Sequence, residues 1–92
     1  MHAAIAEGIH LFNAQKFFEA HEALETLWLK AQGDDKLFLH GLIQVAAAFH
    51  HYQRGNWEGF RRVLARGARK LAKFTKVRNG IDVLDLRAQL RP

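Results

Sequence analysis

The stretch KFFEAHEALETLW, residues 16–28, sets His21, Glu22 and Glu25 among aromatic and aliphatic side chains. A histidine and a carboxylate one helical turn apart can bond each other, and together they can hold a cation or pass a proton. With about 100° per residue, His21 and Glu25 fall inside the apolar arc of Phe17, Trp28, Phe18 and Leu29. Glu22 lies at its edge, while Glu19, Thr26 and Lys30 point to solvent. A further histidine from a neighbouring helix, His51, would complete two nitrogens and one oxygen, the ligand set of several hydrolytic zinc centres. HEALE resembles the H-E-x-x-H zinc motif but carries Glu25 where the second histidine belongs, and neutral Gln44 is a poor ligand. A di-iron bundle needs two Glu-x-x-His pairs, and only Glu7 to His10 qualifies. The residue set therefore reads as a polar cluster for structure or partner binding, with a metal centre on His21, Glu25 and His51 as the alternative.

Other chemistries have little to work with. There is no cysteine and no serine, so thiolate metal sites, disulfides and the usual nucleophiles are absent. Thr26, Thr75 and Tyr52 are the only hydroxyls, and the glycines are scattered rather than gathered into a phosphate loop. Fourteen Lys and Arg against nine Asp and Glu give a net charge of +5. Arg62, Arg66, Arg69, Lys70 and Lys73, continued by Lys76 and Arg78, form a basic face that phosphates would favour. No aromatic interleaving or known docking motif accompanies it, so nucleic-acid binding stands as a second alternative to a solvated helix face.

The elements that must position these residues are helical. Ile5, Ile9 and Phe12 recur on one side of a first helix over about 3–13, and the quoted stretch continues in a second over about 16–32. Gly33 suits the left-handed end of that helix, and Asp34 or Asp35 the cap of the next. The third helix, about 36–54, is apolar over most of its circumference, which makes it central; its polar stripe is His40, Gln44 and His51. Gly55 stops it and Asn56 caps a fourth helix over about 57–74. Asp82 with Asp85 marks a short fifth, about 83–90, and no strand is expected. Trp28, Phe17, Leu24, Leu42, Val45, Phe49, Trp57, Phe60 and Leu64 are the expected core.

An offset of 40 residues pairs Ile5 with Val45, Ile9 with Phe49, Phe12 with Tyr52, Phe17 with Trp57 and Leu24 with Leu64. The chain thus reads as two copies of a helical hairpin. Repeat arrays usually need about three units, so two favour a closed bundle or a homodimer. The expected fold class is all-α, a compact bundle of about five helices built from two antiparallel helical hairpins, in a single domain spanning 1–92. Folding the second helix back on the third brings His21 and Glu25 level with the stretch from Gly41 to about Ala48. Gln44 and His51 would then join them in a buried network, with Gly41 letting the two backbones approach.

FNAQKFFEAHEALETLW followed by GLIQVAAAFHHYQRGN resembles a family of small bacterial and archaeal helical proteins, the domain of unknown function numbered three hundred and nine. The resemblance covers about residues 9–70 and falls on His21, Glu22, Glu25, Trp28, Gln44 and His51, with His50 standing where a tyrosine or similar residue is expected. It implies a helical fold and brings no activity, cofactor or partner with it. No apolar run approaches the roughly 18 residues that span a bilayer, and the start MHAAIAEGIHLF does not read as a signal peptide. A cytoplasmic, non-enzymatic binding or interaction domain is the expectation.

Overall fold

The computed structural model describes residues 2–74, 77–78 and 81–82. It contains α1 (His2–Asn13), α2 (Phe17–Trp28), α3 (Gly33–Gln53) and α4 (Trp57–Leu71), followed by β1 (Val77–Arg78) and β2 (Ile81–Asp82). The fold is all-α. The two short strands pair antiparallel, Val77 with Asp82 and Arg78 with Ile81, a ladder too small to change the class but one that the helical pattern did not announce. The fifth helix expected at 83–90 lies outside the described residues.

Each helix packs antiparallel on the next. Phe12 of α1 meets Phe17 of α2, and Gly8 lies against Leu24. Phe18 at the start of α2 faces His50 near the end of α3, while Trp28 at the end of α2 faces His40. Phe49 and Tyr52 of α3 meet Phe60 and Trp57 of α4, and Gly41 meets Gly67. The third helix is central, as its apolar circumference requires: Phe38, Leu39, Leu42, Ile43, Val45, Ala46 and Ala48 are all buried. Trp28, Phe49, Phe60 and Leu64 are half-buried. Trp57 departs from the expected core, 55% exposed with its ring edge-on to Tyr52, because it opens α4 beyond the level of the core.

Two turns 40 residues apart share one backbone pattern. After α1, Gln15 N–H donates to Phe12 C=O (2.9 Å) and Lys16 N–H to Leu11 C=O (2.8 Å); after α3, Gly55 N–H donates to Tyr52 C=O (3.0 Å) and Asn56 N–H to His51 C=O (2.9 Å). Both are left-handed helix stops, with φ 64° at Gln15 and 75° at Gly55. The turns lie side by side, tied by Gln53 Nε2 donating to Gln15 C=O at 2.8 Å.

The two turns differ at the cap of the helix that follows. Lys16 has no capping acceptor, whereas Asn56 Oδ1 accepts from Gly59 N–H at 3.0 Å. Asn56→Ala is therefore expected to lower stability by about 1 kcal/mol, measured by urea unfolding, and Lys16→Ala to leave that cap term unchanged.

Between α2 and α3 the chain leaves the helix earlier than expected. Lys30 and Ala31 tighten to three-residue bonds on Leu27 and Trp28, then Gln32 becomes extended. Gly33, at φ 61°, opens α3 instead of closing α2, and Asp34 and Asp35 occupy the first turn, where the helix dipole favours carboxylates.

Candidate binding groove

The pairings Phe18–His50 and Trp28–His40 fix the register of α2 on α3, so His21 stands level with Ala47, and Glu25 with Ile43 and Gln44. The polar stripe of α3 turns outward between α2 and α4 and floors a groove. At its centre is a cavity of about 230 Å³ lined by His21, Glu25, Trp28, His40, Ile43, Gln44 and Ala47. His21 and Gln44 thus meet in one pocket, as the helical wheel required. His40 and Ala47 join them, His40 as the member of the polar stripe one turn before Gln44.

Several expectations need correction. His51 does not line the pocket. The α2–α3 register leaves it about a turn beyond His21, where its Nδ1 lies 3.2 Å from Asn56 Nδ2 at the start of α4. The His21, Glu25, His51 metal set is consequently not assembled, and among the described residues no three His, Asp or Glu side chains stand where they could share an ion. Glu25 is not buried: its side chain is 52% exposed, and Oε2 lies 3.8 Å from His21 Nε2, beyond hydrogen-bond range. The wheel misjudged it because α3 covers the Phe17–Trp28 side of the arc and leaves the Phe18–Glu25 side as a rim. Glu25→Gln should then change stability by less than about 0.5 kcal/mol, checked by urea unfolding, where a buried network would have cost more.

Gln44 does not bond His21 or Glu25; its Oε1 accepts from Lys70 Nζ at 2.8 Å. Lys70 accordingly leaves the basic face and bridges α4 to the groove floor, half-buried. Arg62, Arg66, Arg69 and Lys73 are exposed along α4, while Lys76 lies outside the described residues and the Arg78 side chain is not described. Gly41 serves a different interface from the one expected. A Cβ there would meet Leu71 side-chain atoms at 3.0 Å and Gly67 O at 3.3 Å, so its close approach is to α4 rather than α2.

The electrostatics of the pocket are mixed. His21 Nδ1 is buried without a hydrogen-bond partner, an uncommon state for a ring nitrogen. Burial first, and the Lys70 charge second, hold the His40 pKa below its ordinary 6.5. The unfolded chain then takes up that proton before the folded one does. Stability from this group is complete above about pH 6.5 and falls as the pH drops toward the folded pKa. His40→Gln is expected to flatten the dependence of Tm on pH between about 5 and 6.5 relative to the parent; an unchanged slope would assign the effect to other groups. Trp28 closes the far end, its ring 5.6 Å from His40 and under Lys36 Nζ at 4.5 Å. Glu22 is exposed on the outer flank.

The model of a family described as a domain of unknown function, DUF309, matches residues 5–63, which include most of α1, all of α2 and α3 and the whole groove floor. The chain belongs to the DUF309 family. A protein of Aquifex aeolicus described as uncharacterized is 29% identical over 87 residues, 94% of this chain. The chain spans only 26% of that relative's length. The match ends within α4 at residue 63, so the cavity-lining residues fall inside the DUF309 region while Arg66, Arg69, Lys70 and Lys73 fall beyond it. No helix among the described residues is long and apolar enough to cross a membrane.

Proposed function

We propose that this DUF309 chain is a binding domain without catalytic activity, and that its recognition surface is the groove floored by α3. The observation carrying the reading is the open pocket in which His21, Trp28, His40 and Gln44 converge beside the exposed carboxylate of Glu25. Such a mix of an indole ring, imidazoles and a fixed amide suits recognition of a polar or charged side chain. It lacks the paired groups, set at hydrogen-bond distance, that proton transfer or metal binding needs. Glu22 belongs to the same surface as its outer edge. The fuller architecture is part of this proposal: a single cytoplasmic domain of five helices in two hairpins, the fifth formed by 83–90.

The reading is tested by placing a photoreactive benzophenone amino acid at Ala47, on the groove floor, or at Glu7, exposed on α1. Irradiation of cells expressing the chain should give a discrete protein adduct from position 47 and none from position 7. No adduct at 47, or equal adducts at both, overturns the groove as a recognition surface.

A further inference from the structure

The two rims of the groove carry opposite charge at matching spacing. On α2 and the turn that ends it, Phe18, Glu22, Glu25 and Leu29 are exposed, the carboxylates in the middle and the apolar residues, 48% and 68% exposed, at the ends. On α4 and its closing turn, Arg62, Arg66, Arg69 and Lys73 are exposed. Both sets follow i, i+4, i+7, i+11, so each runs along one side of its helix for about 16 Å. Both helices run antiparallel to α3 and therefore parallel to each other. The contacts of Phe18 with His50, Trp28 with His40 and Gly67 with Gly41 hold the centres of the stripes within about one helical turn. Apart from the loose approach of His21 to Glu25, no ion pair among the described residues engages these groups.

We infer that the groove face binds a second copy of this chain about a two-fold axis, with the acidic α2 of each copy lying on the basic α4 of the other. A two-fold axis running along the groove, parallel to α2 and α4, keeps the contacting helices parallel, sets α2 of each copy on α4 of the other and makes that contact twice, so the charge complementarity is satisfied on both sides of the axis. The aliphatic stems of Arg62 and Lys73 cover Phe18 and Leu29 of the partner, whose exposure the bundle leaves unexplained, and a guanidinium can lie on the Phe18 ring. The inference rests on the groove being a recognition surface and names what covers it.

The test is light scattering on gel-filtered chain at about 50 mM and about 500 mM salt. Twice the 10.5 kDa chain mass is expected at low salt, shifting toward one chain at high salt. The pairs Glu22→Arg with Glu25→Arg, and Arg66→Glu with Arg69→Glu, should each weaken association at least about tenfold while circular dichroism stays unchanged. Mixing the two variants should restore the double mass, since each contact in the mixed dimer again joins opposite charges. All four substitutions in one chain should restore it as well. A monomer at low salt, a charge-swapped pair that still dimerises, or a mixture that stays monomeric overturns the inference. A ladder of larger species overturns the closed two-fold arrangement, and salt-sensitive binding of duplex DNA by a monomer assigns the arginines to phosphate instead. An adduct of another mass at position 47 with failed charge swaps would overturn the dimer while leaving the groove as a recognition surface.

Discussion

Phe38→Ala is expected to lower the free energy of unfolding by about 3 to 5 kcal/mol. Phe38 is fully buried in the first turns of α3 and meets Phe74 edge-on at 5.3 Å, just past the end of α4. Its ring therefore ties the start of the central helix to the end of the last one. Against a typical stability of about 5 to 15 kcal/mol for a small domain, the loss would bring the variant close to unfolding at 37 °C. Urea unfolding should show a lower midpoint with an unchanged slope. A loss below about 1 kcal/mol would mean that this end of the bundle is not closed.

Gly67→Ala carries the second large effect, and local propensity predicts the opposite sign. Alanine is favoured over glycine in a helix interior by roughly 0.8 to 1.0 kcal/mol, so α4 in isolation would gain from the change. In the bundle the new Cβ would stand 2.9 Å from Gly41 O, with Gln44 Cβ and Val45 Cγ2 each at 3.2 Å. Backbone oxygen cannot rotate away, so α4 must retreat from α3, loosening the seam that also holds the Lys70–Gln44 bond. Overpacking of this kind costs about 1 to 3 kcal/mol, enough to outweigh the propensity gain. A stabilised variant would show that α3 and α4 do not cross this closely.

Much of the fold was legible in the sequence because it depends on periodicity and punctuation. The apolar circumference of residues 36–54 identified the central helix, Gly55 and Asn56 marked a stop and a cap that the structure contains, and the 40-residue offset reappears as two matching turns. What stayed hidden depends on registers between helices, which no single-helix pattern specifies. Gly41 offered a close approach without saying to which neighbour. Lys70 lies on the polar side of α4 by sequence, yet its stem is long enough to reach Gln44 across the seam. His51 shares a stripe with Gln44, and only the level at which α2 crosses α3 separates it from the pocket. Glu25 lies within an apolar arc, but a helix packed on one side of that arc leaves the other side wet.

The reading of the groove as a surface for recognition rather than reaction is tested most directly by its metal content. Chain purified without a histidine tag and dialysed against buffer should carry transition metal far below one equivalent, and added zinc should leave the Tm of the parent and of His21→Ala equally unaffected. Zinc or a similar ion copurifying at about one per chain, raising the Tm when restored and disappearing with His21→Ala, would contradict the account and make the pocket a metal centre.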